Sequence, residues 1–151
     1  MRRTHVLIIL ALFAVVSCGK NKYTTKPQIT IKSVSPAEMT RDNLLSIVLE
    51  FTDKEGDITD TIYIVKQILN ENQKGTAQEF LNLSVKLPFY PKAIQGEMEV
   101  RFARRIGFGV PLLGDPLTIQ NDTVIFHLAV KDATGNWSDT LTTPNPIVII
   151  R

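Results

Sequence analysis

The chain has one cysteine, Cys18, in 151 residues, so it forms no internal disulfide. It has no P-loop, no GxGxxG and no CxxC. Outside the first few residues it has one histidine, His127, and neither Ser84 nor Ser138 lies near it in sequence. No acid, base and nucleophile set can be named, and the expectation is a protein that is not an enzyme. Glu97 and Glu99 share one strand face, but no aromatic stripe accompanies them to hold a sugar for glycosidase chemistry. Charge of one sign is also missing. The 17 basic residues against 15 acidic ones include Arg2 and Arg3, and without those two the balance is 15 to 15. Such a chain offers no electrostatic footprint for nucleic acid. The longest apolar run, Val6 to Val16, is too short to span a bilayer.

What is present fits one globular domain. Hydrophobic residues make up 44% and charged residues 21%, which supports a folded core rather than disorder. At the N-terminus, Arg2-Arg3, the apolar Val6–Val16 run and Val15-Val16-Ser17-Cys18 follow one another. Charge, apolar stretch and small residue before a cleavage point are the parts of an export signal. The last four residues resemble the lipobox of bacterial lipoproteins, departing from it in having Val15 where leucine is commoner. That resemblance implies cleavage before Cys18 and diacylglycerol on its sulfur, with the acyl chains as anchor. Residues 1–17 are thus expected to be a signal peptide, 18–27 the lipidated cysteine and a polar tether, and 28–151 the folded domain. With no Asp after Cys18 and no acidic cluster, the expected location is the outer membrane, lipid-anchored and facing the periplasm.

The domain is patterned with period two. Leu45, Ile47, Leu49 and Phe51 alternate with mostly polar residues. So do Leu81 to Leu87, Met98 to Phe102, and Val124 to Val130. Ile29 and Ile31 begin an earlier strand, Ile62 to Val65 is a continuous apolar run read as a more buried strand, and Ile147 to Ile150 closes the chain. One short helix is possible between Asn70 and Phe80, against which Gly75 and Thr76 argue. About seven short strands divided by turn residues read as an all-β, immunoglobulin-like sandwich.

Two turns carry a second resemblance. Phe51-Thr52-Asp53-Lys54-Glu55-Gly56-Asp57 follows an early strand, and Val130-Lys131-Asp132-Ala133-Thr134-Gly135-Asn136-Trp137-Ser138 precedes the last ones. Together they resemble the Ig-like domains of extracytoplasmic bacterial proteins, including small lipoproteins of Bacteroidota. The resemblance implies fold, location and a non-catalytic role, and it implies no ligand.

In such a sandwich the two turns are loops at one end. Asp53, Glu55 and Asp57 would then converge with Asp132, Asn136 and Asp139, a set of hard oxygen ligands suited to calcium. The plainer account is that acidic turns cap strands through their own backbone. Position 62 is isoleucine, so this is not an EF-hand loop. Trp137 is either an exposed binding anchor or a ring folded onto the sandwich edge. Phe108 lies in the Gly/Pro-rich stretch Ile106–Pro116, read either as a loop crossing over the core or as an apolar patch that meets a partner. The function expected is an interaction or accessory module of the envelope, with an envelope protein or glycan as partner. The alternative is a ligand-binding domain for calcium or a glycan.

Overall fold

Alternation becomes two facing sheets. The computed structural model describes residues 23–58, 61–87, 92–105, 109–116 and 118–151. The signal segment, Cys18 and Phe108 lie outside them. The strands are β1 (Gln28–Ser35), β2 (Glu38–Met39), β3 (Leu45–Thr52), β4 (Thr61–Ile68), β5 (Phe80–Lys86), β6 (Gln95–Phe102), β7 (Asp122–Lys131), β8 (Leu141–Thr142) and β9 (Ile147–Ile149). One sheet runs β1-β3-β6 and the other β2-β9-β7-β4-β5, with β8 also on β7. Every pairing is antiparallel except β2 with β9. The chain is all-β and forms a β-sandwich.

The core lies between the sheets. Leu45, Ile47, Leu49 and Phe51 of β3, and Met98, Val100 and Phe102 of β6, come from one side. Val124, Phe126, Leu128 and Val130 of β7, with Ile62, Ile64 and Ile68 of β4, come from the other. Phe102 and Phe126 stack across the interface with ring centroids 5.6 Å apart. The period-two reading holds in β3, β6 and β7, and in the β5 row Leu83, Val85 and Leu87 pack on the core while Leu81 is exposed.

Three details differ from the sequence expectation. Nine strands are formed among the described residues, two of them only two residues long, where about seven were expected. The stretch from Asn70 to Phe80 makes a single 3-10 turn, Glu71–Gln73, because Gly75 adopts a positive φ of 72° that a helix cannot continue. Ile62 to Val65 is not buried throughout. Ile62 and Ile64 face the core, whereas Tyr63 is exposed and Val65 half-buried on the other face.

Phe126→Ala should remove about 3–5 kcal/mol of unfolding free energy, since the vacated volume between two sheets cannot collapse fully. Urea denaturation followed by far-UV circular dichroism measures this. A loss below about 1 kcal/mol would mean that the ring is not a core element.

Candidate functional site

The inward row of β3 does not stop at Phe51. Two residues on, with the same parity, stands Asp53, which is 0% exposed. The inward row of β7 continues past Val130 in the same way to Asp132, which is 2% exposed. Strand periodicity thus drives two carboxylates into the end of the core.

Each turn is locked by its own aspartate. The Asp57 amide donates to Asp53 Oδ2 at 2.9 Å. Gly56 between them has φ 66°, and a Cβ there would lie 3.1 Å from the Ala93 nitrogen, so glycine is required by both conformation and space. In the second turn, Asp132 Oδ1 accepts the Asn136 amide at 2.7 Å and the Thr134 hydroxyl at 3.0 Å. Asp132 Oδ2 accepts Asn136 Nδ2 at 2.8 Å. The two turns touch directly, with the Ala133 amide donating to the Asp57 carbonyl at 3.1 Å.

Asp53, Asp57 and Asp132 each offer a carboxylate oxygen to one group, with all three oxygens within 4.8 Å of one another. Of the six residues predicted to converge, these three do, and Asn136 joins them through its hydrogen bonds to Asp132. Glu55 stays outside the group, although its Oε2 is buried and has no hydrogen-bond partner. Asn136 is occupied in holding Asp132. Asp139 lies elsewhere, its side chain 89% exposed and paired with Lys26 at 2.5 Å. Asp53 and Asp132 extend the inward rows of β3 and β7, and Asp139 extends neither.

The electrostatics follow from the crowding. Burial pushes the Asp57 carboxyl above its ordinary value, as do hydrogen bonding with Asp53 and the charges of Asp132 and Asp53. Burial also pushes Asp132 upward, but the hydrogen bonds from Asn136, Thr134 and Gly135 outweigh it and hold that carboxyl below the usual range. Among the described residues, no cationic side chain is one of the groups acting on either carboxyl.

Several residues were not foreseen. Tyr23 to Lys26, expected as tether, meet this end of the domain. The Tyr23 hydroxyl donates to Gln95 Oε1 at 2.9 Å, the Thr24 carbonyl accepts the Lys54 amide at 3.1 Å, and the Thr25 carbonyl accepts Asn136 Nδ2 at 3.3 Å. A polar, aperiodic stretch gives no signal for such backbone contacts. Trp137 is 44% exposed and packs on Tyr63 with centroids 4.6 Å apart, and Lys131 Nζ lies 5.7 Å from its ring centre. His127 faces outward, with Nδ1 2.9 Å from Thr142 Oγ1 and Nε2 3.0 Å from Gln67 Oε1.

The opposite end also buries charge. Lys66, Arg104 and Asp122 continue the inward rows of β4, β6 and β7 and are all buried. Here both signs are present. Lys66 Nζ donates to the Leu113 carbonyl at 3.1 Å, and Arg104 reaches Asp115 at 2.6 Å. Burial raises Asp122, and Lys66 and Arg104 work against that rise.

No family model and no curated protein matches the chain. Among solved structures it is similar to Spo0M, a sporulation control protein from Bacillus subtilis, at 8% identity and a TM-score of 0.43. The match covers 85% of this chain and 51% of that one, so the chain spans about half the length of that protein. A likeness this slight has no bearing on function.

The raised value at Asp57 predicts a pH dependence. Just above the ordinary carboxylate range, the folded chain keeps a proton there that the unfolded chain has released. Without a bound cation, this residue makes stability fall as pH rises through that window. Asp132 acts oppositely, its stabilising contribution being lost as pH falls through its depressed value. Asp57→Asn should therefore melt at a higher temperature than wild type in chelator at neutral pH, and the two should converge in mildly acidic buffer. Scanning calorimetry across that range checks it, and identical melting at neutral pH would contradict it.

Proposed function

We propose that the chain is a non-catalytic envelope lipoprotein. In this reading an Ig-like sandwich, carried on lipid at Cys18, serves as an interaction or accessory module on the periplasmic side of the outer membrane. The observation that carries it is the Arg2-Arg3, Val6–Val16, Val15-Val16-Ser17-Cys18 series joined to an all-β domain. The Ig-like assignment is supported by strand order. Taken in chain order, β1, β3 and β6 match A, B and E of one sheet, and β9, β7 and β4 match G, F and C of the other.

The anchor would join the sandwich at its acidic end. Tyr23 already contacts the domain, and it stands only five positions after Cys18, a span of at most about 18 Å. On this reading the turns 53–57 and 132–139 face the membrane, and the end bearing Lys66, Arg104 and Asp122 faces away from it. A second reading, a glycan-binding domain, draws on the part-exposed Tyr63–Trp137 pair, which offers ring faces to a sugar.

Metabolic labelling with an alkynyl fatty acid tests the lipoprotein reading. Wild type should take up label and sediment with membranes. Cys18→Ser should be unlabelled and either unprocessed or released. Because the sequence holds no other cysteine, equal labelling of the two would end the proposal.

A further inference from the structure

We propose that Asp53, Asp57 and Asp132 form a divalent-cation site, selective for calcium, at the end of the sandwich where the turns after β3 and β7 meet. Three carboxylate oxygens within 4.8 Å of one another are one observation. The second is independent of their proximity. Asp53 is fully buried, and no hydrogen-bond donor reaches its Oδ1. A carboxylate oxygen sealed from water with no donor is costly to leave uncompensated. Glu55 Oε2, in the same turn, is a further buried oxygen with no hydrogen-bond partner.

The other end of the molecule is built differently. There the chain also buries an aspartate, Asp122, but it supplies Lys66 and Arg104 as counter-charges. At the end holding Asp53, the groups acting on Asp57 and Asp132 are other carboxylates and hydrogen-bond donors. Among the described residues no cationic group acts on these two carboxylates, so a bound cation would compensate this end. The competing compensation is a proton shared between Asp57 and Asp53, and the test separates the two.

The donor set fixes the class of ion. All candidate ligands are oxygens, with no histidine or cysteine in the group, which suits a hard cation rather than zinc or copper. Irregular turn geometry fits calcium, which accepts six to eight oxygens, including water and backbone carbonyls, at variable angles. It does not fit magnesium, which demands a near-ideal octahedron. The hydrogen bonds that hold Asp132 in place from Asn136 and Thr134 orient a ligand before the ion arrives.

The experiment uses the purified chain stripped with chelator at neutral pH. Calcium alone, titrated in a calorimeter, should bind at one ion per chain, with magnesium weaker. Asp53→Asn should weaken the calcium affinity at least roughly tenfold. Terbium gives a second readout. Trp137, the sole tryptophan, lies in the turn that holds Asp132, so exciting it should sensitise terbium emission, which calcium then quenches by displacement. If circular dichroism shows Asp53→Asn unfolded, Asp57→Asn replaces it, since that side chain is only half-buried. Absence of both calcium heat and sensitised emission in wild type would overturn the proposal and leave the shared proton as the compensation. Calcium binding unchanged in the folded variant would overturn it as well. Neither readout depends on Cys18, so the lipoprotein reading stands or falls separately.

Discussion

Face-to-face packing of alternating strands, β3 and β6 of one sheet against β4 and β7 of the other, governs everything else in this domain. Leu45, Ile47, Leu49 and Phe51 fill one side of the core, and Val124, Phe126, Leu128 and Val130 fill the other. A one-residue slip in either strand would turn its whole apolar set outward, so the register has no near alternative. Once fixed, the register also dictates what happens beyond the apolar residues. Asp53 and Asp132 are buried because they occupy the next inward positions, and the same holds at the far end for Arg104 and Asp122, while Lys66 stands within the inward row of β4 between Ile64 and Ile68.

The two ends meet that consequence differently. At the far end the inward positions hold both signs of charge, and Lys66 and Arg104 offset the cost of burying Asp122 while finding carbonyl and carboxylate partners of their own. At the near end the inward positions hold acids. Hydrogen bonds from Asn136 and Thr134 satisfy Asp132, but Asp53 keeps one oxygen with no donor. The near end is also where Thr24 and Thr25 dock, through Lys54 and Asn136, which belong to the same two turns. Anything that rigidifies those turns therefore bears on the residues that lead back toward Cys18.

The six acidic and amide residues singled out in the sequence illustrate what pattern can and cannot say. Asp53 and Asp132 were legible in principle, since each sits two residues past the last inward hydrophobic residue of its strand. Asp57 enters the group because the Asx turn from Asp53 carries the chain around Gly56 and back to the same spot. Asn136 meets the group as a hydrogen-bond donor to Asp132, Glu55 stays outside it, and Asp139 pairs with Lys26. Spacing in a loop does not determine direction as spacing in a strand does, because loop dihedrals follow no fixed period.

By itself the sequence determined the all-β class, the inward faces of the long strands and the position of the acidic turns, because side-chain alternation and turn chemistry are local properties of the chain. It also marked Lys66 as an inward position, had the row Ile62, Ile64 been carried two residues further. Only the tertiary structure decided which acids meet, that Tyr23 to Lys26 bond to residues at the end of the sandwich, and that Trp137 rests on Tyr63. Those contacts join segments far apart in the chain, and their partners are set by how two sheets stack and how loops of particular length close over the ends. No local period encodes that.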